Sequence, residues 1–489
     1  MSYRFLAFDL GAESGRALLG NLDGAKLSLD EMHRFSNPNG RMNGRLHWDL
    51  LGQWEHLKEG LRKTAGTRLD GLAVDTWGVD FGLIGADGDI LGNPLHYRDS
   101  HTDGVMDQVF ARLKKEEIFQ STGTQFMQFN TLFQLWALKK SSPHLLKAAQ
   151  TMLFMPDLFN FLFAGARKAE FSITSTSQMY DMRKKQWATG LLDSLDLPTE
   201  ILPEVVPSGT VVGEVTAAVG EECGVGPVPV IAPAGHDTAS AVAAVPAAAG
   251  EKSWCYISSG TWSLMGVELA EPIINEQSMK FGYTNEGGVG GSIRFLRNIM
   301  GMWLVQECRR FWIKEGHDHA YAELTKMAER AASTALVDPN HQPFLAPGRM
   351  VPKIDEFCKL TSQRGPSSRG EYVRTCLDSL ALTYRQTLVG LEKILGRSID
   401  TIHIVGGGAQ NQLLNQMSAD ACGRRVVAGP VEATAIGNIL VQAIAVGAIK
   451  SLDEAREVVR NSFDVKTYEP RETKKWDEAY ERFRGIVNR

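Results

Sequence analysis

One acidic residue near the midpoint of the chain stands where an acid–base catalyst could operate. Asp237 follows the apolar run 228–234, which predicts a strand, and precedes the Ala- and Val-rich segment 238–245, which predicts a helix ended by Pro246. We therefore expect Asp237 at a strand-to-helix corner, where unpaired amides make the local potential positive. A carboxylate there stays ionised and could accept a proton from an alcohol. The structural alternative is a simple helix cap, worth about 1 kcal/mol to the helix.

Two turns of small residues could approach phosphate oxygens closely. The first, Gly11-Ala12-Glu13-Ser14-Gly15-Arg16, lies between two predicted strands and offers backbone amides and an arginine. The second, residues 258–261, has similar small and hydroxyl side chains and could hold the other side of a polyphosphate. Neither is a Walker loop, since the chain contains no Gly-Lys pair, and the Rossmann glycine spacing is also absent. For the first turn, an ordinary hairpin remains the alternative.

Two further features suit a nucleotide and its metal ion. Asp9, at the tip of the first predicted strand, could hold Mg²⁺ through oxygen or water contacts, because magnesium sites often use few protein ligands. An aspartate that merely closes a turn is the alternative for Asp9. The three glycines 406–408 follow another predicted strand and have no Cβ atoms, so a flat group such as adenine could lie against their backbone.

The stretch Trp77-Gly78-Val79-Asp80 comes at the carboxyl end of a predicted strand, where open α/β sheets place ligand contacts. Asp80 could accept hydrogen bonds from sugar hydroxyls at this position. His236 is a weaker candidate, since a lone histidine is usually a satisfied structural group and only its place beside Asp237 recommends it.

The elements that would position these residues alternate between strand and helix, which predicts α/β architecture. Strands predicted at 5–11, 16–21 and 26–35 form an opening meander. The strand, turn and strand predicted over 253–269 repeat that plan, which suggests two related halves. We predict a single helix over 293–311, carrying Asn298 and Gln306, and we interpret residues 337–370 as an irregular surface insertion.

Length and composition favour a two-domain protein that acts on a small molecule. The chain has 489 residues, of which 43% are hydrophobic and 22% charged, with a formal net charge of -5. No basic run suggests nucleic acid, and the apolar run 436–449 is too short to span a bilayer. The N-terminal residues lack the pattern of a signal peptide, which predicts a cytoplasmic location. The six dispersed cysteines predict free thiols without zinc or disulfides.

At these residues the sequence resembles the FGGY carbohydrate kinases, and most closely the branch of that family that acts on L-rhamnulose. The resemblance runs essentially from end to end. It is carried by Asp9-Leu-Gly-Ala-Glu-Ser-Gly-Arg16, Asp75-Thr-Trp-Gly-Val-Asp-Phe81, Tyr97-Arg-Asp-Ser100, Phe129-Asn-Thr131, His236-Asp-Thr-Ala-Ser-Ala-Val242, Ser258-Ser-Gly-Thr-Trp-Ser-Leu-Met-Gly266, Asn298-Ile-Met-Gly301 and Val405-Gly-Gly-Gly-Ala-Gln-Asn411.

The resemblance implies two ribonuclease-H-like domains of the actin and Hsp70 type, with an interdomain cleft that closes on ATP and sugar. We expect these domains at 1–244 and 245–489. The family's general base matches Asp237, and its metal-associated acid matches Asp9. The family's ATP contacts fall on Ala12, Glu13, Ser14, Gly15, Arg16, Thr261, Gln306 and Gly407. Its sugar contacts fall on Gly78, His236, Asp237, Thr238 and Asn298.

The expected activity is ATP- and Mg²⁺-dependent phosphorylation of a ketose at its primary hydroxyl, with L-rhamnulose converted to L-rhamnulose 1-phosphate. Two alternatives stay open. One is a kinase for another ketose, L-fuculose or D-xylulose, on the same scaffold. The other is a non-catalytic actin-like ATP-binding module. No nucleic-acid or membrane partner is expected, and the sequence does not fix the oligomeric state.

Overall fold

The computed structural model describes residues 2–333 and 335–487, and strands and helices alternate through them as the sequence predicts. The expected domain ends at Met1 and Arg489 lie outside the described residues. The strands are β1 (Ser2–Leu10), β2 (Ser14–Asp23), β3 (Lys26–Ser36), β4 (Asn39–Met42), β5 (Arg45–Trp48), β6 (Gly71–Thr76), β7 (Phe81–Ile84), β8 (Thr151–Phe154), β9 (Lys168–Glu170), β10 (Tyr180–Asp181), β11 (Gln186–Trp187), β12 (Glu204–Val206), β13 (Thr210–Glu214), β14 (Pro229–Ala232), β15 (Trp254–Ser259), β16 (Trp262–Leu269), β17 (Thr284–Gly287), β18 (Ile293–Met300), β19 (Thr401–Val405), β20 (Arg425–Ala428) and β21 (Lys466–Tyr468).

The helices connect these strands and cover the sheets. They are α1 (Leu50–Arg62), α2 (Val105–Phe110), α3 (Lys115–Thr122), α4 (Thr131–Ser141), α5 (Pro143–Ala148), α6 (Met155–Ala164), α7 (Phe171–Thr174), α8 (Thr189–Ser194), α9 (Ala217–Cys223), α10 (Asp237–Ala243), α11 (Glu276–Lys280), α12 (Trp303–Lys314), α13 (Tyr321–Arg330), α14 (Gln342–Leu345), α15 (Met350–Leu360), α16 (Arg369–Leu395), α17 (Gln412–Cys422), α18 (Ala433–Ala445), α19 (Leu452–Ser462) and α20 (Thr473–Val487).

The chain divides into two compact units, each assembled from three segments. The first unit comprises Met1–Ala244, Glu268–Phe295 and Ala433–Ser462, and the second comprises Val245–Val267, Leu296–Glu432 and Phe463–Arg489. The opening segment of the first unit ends at Ala244, and the domains expected at 1–244 and 245–489 stay predictions. The segment Ala433–Ser462 joins the first unit because it carries α18, which packs on β1 and β6.

The first unit is built on a six-stranded sheet in the order β13-β14-β6-β1-β2-β3. Its opening meander is antiparallel and pairs Asp9 with Arg16, as expected from two strands joined by a tight turn. Strand β6 then lies parallel to β1, with Asp9 beside Asp75. Phe5, Leu6 and Phe8 are completely buried, so this sheet forms the core that fixes the position of Asp9.

The second unit contains most of a seven-stranded sheet in the order β17-β18-β16-β15-β19-β20-β21. Strands β15 and β16 form an antiparallel hairpin, and β19 and β20 follow as parallel strands. The repeated plan that the sequence suggests is therefore confirmed at the level of topology: an antiparallel hairpin continues into parallel strands in each sheet.

The single helix predicted over 293–311 is wrong. Residues Ile293–Met300 form strand β18, and α12 begins only at Trp303. Gly301 separates them at a tight approach, since a Cβ added there would lie 2.6 Å from the Ser263 hydroxyl. The apolar residues of this segment fit helical and strand spacing about equally well, and the glycine that ends the strand decides between them.

The interpretation of residues 337–370 as a surface insertion is also wrong. The segment contains α14 and α15, and Phe344 and Ile354 are completely buried. The indole nitrogen of Trp303 donates a hydrogen bond of 3.0 Å to the carbonyl of Phe344. This segment therefore belongs to the core of the second unit.

All six cysteines are free and buried, as the dispersed spacing predicts. Helix α18, which carries the longest apolar run, buries Ile436, Ile439 and Leu440 inside the protein. Within residues 2–333 and 335–487, no helix has the length and apolar character that a bilayer crossing requires.

Candidate active site

Asp237 is the first residue of α10 and follows the end of β14 by a short link, so the predicted strand-to-helix corner is confirmed. His236, rather than Asp237, occupies the cap position of the helix. The Asp237 carboxylate accepts a hydrogen bond of 2.6 Å from the amide of Thr238, and 27% of its side chain is exposed. The carboxylate thus meets one unpaired amide of the helix and still presents surface to a ligand.

The pKa of Asp237 is raised to about 6, mainly by burial, and the negative charge of Asp9 adds to the shift. The charges of His236 and Arg294 and the Thr238 amide act in the opposite direction. Burial therefore outweighs the effect of the amides at the helix start on this pKa. The higher pKa favours catalysis, since a base works best when its pKa lies near the operating pH.

Three carboxylates of the first unit lie within electrostatic range of one another. Burial, Asp9 and Asp237 raise the pKa of the fully buried Asp75 well above its usual value. Asn438 on α18 donates to Asp75 at 2.6 Å, and Arg16 donates to Asp9 at 2.6 Å. Asp75 belongs to the motif 75–81 and lies near the end of β6 beside Asp9, a position that marks it as a further acidic residue of the site.

The donor chemistry around Asp9 fits a magnesium ion that arrives with phosphates. Within the described residues, no group of three or more His, Cys, Asp or Glu side chains is arranged to hold a metal ion by itself. Magnesium usually keeps several waters and takes only one or two protein carboxylates. The mutual repulsion of Asp9, Asp75 and Asp237 is a separate reason for a cation to be stabilised there.

The predicted phosphate turn is a hydrogen-bonded hairpin between β1 and β2. The amide of Gly11 donates a hydrogen bond of 2.9 Å to the carbonyl of Ser14. The side chain of Asn37 donates to the carbonyl of Gly11, and its backbone amide donates to the carbonyl of Glu13. Glu13 and Ser14 are exposed at its tip, and Ala12 is half-buried. A Cβ at Gly15 would overlap the ring of Phe35, so that glycine is required by packing.

Gly78, His236 and Thr238 are brought together on the side of Asp237. A Cβ added at Gly78 would lie 3.4 Å from Nε2 of His236, and the Thr238 hydroxyl lies 3.2 Å from its Nδ1. Val79 adopts a φ of 70°, which a β-branched residue rarely does. Thr131 donates a hydrogen bond to the carbonyl of Val79, and the amide of Val79 donates one to the hydroxyl of Thr176. These two bonds hold the backbone of Val79 in place.

The prediction that Asp80 binds sugar hydroxyls needs correction. Asp80 is completely buried, and its oxygens accept four hydrogen bonds from within the protein. The donors are the indole of Trp48 at 2.7 Å, the indole of Trp77 at 3.0 Å, the amide of Tyr97 at 3.1 Å and the side chain of Gln134 at 2.8 Å. Burial raises the pKa of Asp80 to about 7, although these bonds oppose the shift. We therefore assign Asp80 a structural role, in which its carboxylate holds the indoles of Trp48 and Trp77 in place.

In the second unit, the residues predicted to bind ATP lie on three elements that contact one another. The carbonyl of Thr261 accepts bonds from the amides of Gly301 and Trp303, which places the turn 258–261 against the start of α12. Gln306 lies one turn further along α12, and its buried Oε1 has no hydrogen-bond partner among the described residues.

The glycine turn completes this group. Gly406 needs its φ of 84°, and a Cβ at Gly408 would overlap the hydroxyl of Ser259. A Cβ at Gly407 would meet nothing within 4 Å. Protein packing therefore explains Gly406 and Gly408 but not Gly407, which leaves room for a ligand at that position. Asn298 lies half-buried on β18, in the part of that strand assigned to the second unit.

The sequence matches known proteins over its whole length. Residues 4–244 match the N-terminal domain of the FGGY family of carbohydrate kinases, and residues 255–446 match its C-terminal domain. A rhamnulokinase of Bacteroides thetaiotaomicron is 42% identical over 490 residues and covers 100% of both chains. A rhamnulokinase of Pectobacterium atrosepticum is 40% identical and covers 98% of this chain and 96% of the relative.

Solved structures with low sequence identity share the fold. A ligand-bound xylulose kinase from Lactobacillus acidophilus is 15% identical, with a TM-score of 0.81 and coverage of 99% of this chain and 98% of that one. Plasmodium falciparum glycerol kinase with ADP is 14% identical, with a TM-score of 0.79 and the same coverage. The expected fold class, two domains of the actin and Hsp70 type, is confirmed, while the interdomain cleft stays a prediction. The chain belongs to the FGGY family of carbohydrate kinases.

Proposed function

We propose that this carbohydrate kinase transfers the γ-phosphoryl group of ATP to the primary hydroxyl of L-rhamnulose, giving L-rhamnulose 1-phosphate and ADP. The observation that carries the proposal is Asp237, a partly exposed carboxylate with a pKa of about 6 beside His236 and Thr238. The choice of sugar is supported by the full-length relatives that carry the name rhamnulokinase.

In the proposed reaction, Asp237 accepts the proton of the primary hydroxyl while that oxygen forms a bond to the γ-phosphorus. The bond between this phosphorus and the bridging oxygen breaks, and ADP leaves with the electron pair. Phosphoryl transfer depends mainly on positioning and electrostatics, so a single base of moderate strength is adequate. At pH 7 to 8 most Asp237 side chains are ionised and ready to accept a proton, given a pKa of about 6.

We assign Asp9 as the protein ligand of Mg²⁺, which would neutralise charge on the phosphate oxygens. Arg16 donates to Asp9 at 2.6 Å and fixes the direction of its carboxylate. The hairpin residues 12–16 would bind phosphates from the first unit. Thr261, Gln306 and Gly407 are proposed as ATP contacts of the second unit. The Oε1 of Gln306, which no described residue bonds, could accept a hydrogen bond from the nucleotide.

On the sugar side, we assign Gly78, His236 and Thr238 as contacts, together with Asn298. Gly78 leaves space beside the ring of His236, because a Cβ at residue 78 would lie within van der Waals distance of Nε2. The backbone of Val79, held in an unusual conformation by Thr131 and Thr176, keeps this space open. The cytoplasmic location stays a prediction from the N-terminal sequence.

The test is an ADP-release assay with L-rhamnulose, L-fuculose and D-xylulose at equal concentrations. We expect the highest kcat/KM with L-rhamnulose and almost no ADP release without sugar. A higher kcat/KM with L-fuculose or D-xylulose would reject the substrate assignment while keeping the kinase. Turnover of ATP at one rate with and without every sugar would instead favour a nucleotide-binding module.

A further inference from the structure

Arg294 is a completely buried arginine on β18 whose guanidinium reaches the residues beside Asp237. Its Nε donates to the carbonyl of Gly287 at 2.8 Å, and its Nη1 donates to the Thr238 hydroxyl at 2.9 Å. Its Nη2 donates to Glu286 at 3.0 Å. All of these residues belong to the first unit, so the contacts form one connected network around the start of α10.

Glu286 connects this arginine to His236. One carboxylate oxygen of Glu286 lies 3.2 Å from Nδ1 of His236 and 3.0 Å from Nη2 of Arg294. Burial would raise the pKa of Glu286, but the hydrogen bond with His236 and the charge of Arg294 lower it below its usual value. Glu286 is therefore ionised and acts only as a hydrogen-bond acceptor.

Glu286 and Arg294 both reach Nδ1 of His236. One carboxylate oxygen of Glu286 and Nη2 of Arg294 each lie 3.2 Å from this nitrogen, so two charged side chains hold the ring in place. Nε2 lies 3.4 Å from the Asp237 carboxylate and next to Gly78, on the side proposed for the sugar.

The hydroxyl of Thr238 is oriented by the same arginine. Since Arg294 donates to this oxygen, the hydroxyl must direct its own hydrogen elsewhere. One buried cation thus sets the direction of two groups that flank the base. Burying an unpaired charge is costly, so the completely buried Arg294 needs partners such as these.

We propose that Glu286 and Arg294 are positioning residues of the sugar site, which hold the imidazole of His236 and the hydroxyl of Thr238 in place to bond a sugar hydroxyl. The proposal deepens the function proposed above and rests on it. His236 and Thr238 flank Asp237, the proposed base. Substitution at residue 286 should therefore weaken sugar binding and leave ATP binding unchanged.

The test variant is Glu286→Gln, which keeps the shape of the side chain and removes its charge. A second variant, Arg294→Lys, keeps the charge and removes the two-pronged contact with Thr238 and Glu286. The matched control is Glu268→Gln, because Glu268 is paired at 2.5 Å with Arg456, a buried arginine that donates to the carbonyl of Val242 near the other end of α10. The control removes the same charge from a residue whose partner Arg456 contacts the other end of α10, away from the base.

In Glu286→Gln we expect the KM for L-rhamnulose to rise about fivefold to tenfold, the size of one lost hydrogen bond, with the KM for ATP unchanged. Arg294→Lys should change the sugar KM in the same direction. Glu268→Gln should leave both constants unchanged, and thermal melting of each variant reports folding. Equal effects of Glu286→Gln and Glu268→Gln, or equal changes in the two KM values, would overturn the proposal.

The ring of His236 provides a readout that does not require activity. In the ¹⁵N spectrum of histidine-labelled protein at pH 8, His236 is identified by its loss in His236→Asn. Glu286→Gln should shift the His236 signals, and Glu268→Gln should leave them unchanged. His236 signals that Glu286→Gln leaves unchanged, or that both variants shift equally, would overturn the proposal. A wild type inactive on all three ketoses would refute the proposed function alone, because the spectrum tests the positioning separately.

Discussion

Asp80 and Asp237 are both aspartates that follow a strand in the first unit, and burial raises the pKa of both. The pKa of Asp80 is raised to about 7 and that of Asp237 to about 6. Their hydrogen bonds differ. Asp80 accepts bonds from Trp48, Trp77, Tyr97 and Gln134 and has no exposed surface. Asp237 accepts from the Thr238 amide, and about a quarter of its side chain is exposed.

The comparison teaches that a raised pKa does not by itself identify a catalytic carboxylate. A carboxylate that can act on a ligand must keep exposed surface and acceptor capacity, and only Asp237 does so. Asp80 uses its acceptors to hold two tryptophans, whose ring centroids lie 3.9 Å apart. Replacement by asparagine should therefore reduce turnover at Asp237 and reduce stability at Asp80.

The largest expected effect is the loss of turnover in Asp237→Asn. Asparagine cannot accept the proton of the sugar hydroxyl, so kcat should fall by about 10²–10⁴-fold, the usual contribution of a general base. The measurement is ADP release at saturating ATP and L-rhamnulose, with calorimetric binding of both ligands as the control for an intact site. A kcat close to that of the wild type would remove Asp237 from the mechanism.

A second prediction extends the comparison to Gly407 and Gly408. The space at Gly407 is open, so Gly407→Val should fold normally and raise the KM for ATP about tenfold, as expected when a side chain overpacks a ligand site by about 1–3 kcal/mol. The matched variant Gly408→Ala should lower the melting temperature, because its Cβ overlaps the Ser259 hydroxyl. A similar rise of the sugar and ATP KM values in Gly407→Val would argue against a nucleotide contact.

The smallest kinetic effect is expected for Asp80→Asn. An amide has one acceptor oxygen where four donors converge, so at least one buried N–H group meets another donor, at a cost of about 1–3 kcal/mol in unfolding free energy. Denaturant titration at pH 8 measures this loss, and kcat below the melting temperature should stay within about threefold. The exposed Asp87→Asn is the control. An unchanged stability with a raised sugar KM would restore Asp80 as a direct ligand.

Local signals in the sequence predicted the frame of the site well. Apolar runs separated by turn residues predict the antiparallel meander of β1 to β3 and the corner before α10. These signals involve only residues a few positions apart in the chain, so they can be read from the sequence. The segment that became β18 was missed because its apolar residues satisfy both helical and strand spacing. Only the close approach of Gly301 to the β15–β16 hairpin resolves this ambiguity, and such an approach requires the folded sheet.

The environments of the charged groups could not be predicted in the same way. Trp48 and Gln134 reach Asp80 across 32 and 54 positions of the chain, and Arg294 reaches His236 across 58. These separations carry no periodic signal, so neither the satisfied state of Asp80 nor the network at His236 was visible. Arg294, which stands between the apolar residues Ile293 and Phe295, was the available clue, since a buried charge needs partners.

The most direct test of Asp237 as the base is the pH dependence of kcat/KM for L-rhamnulose. Only the ionised carboxylate accepts a proton, so activity should be level above neutrality and fall about tenfold for each unit below pH 6, set by the pKa of about 6. The assay needs saturating ATP, and Glu268→Gln should show the same profile as the wild type. A level profile from pH 8 down to pH 5 would contradict the account.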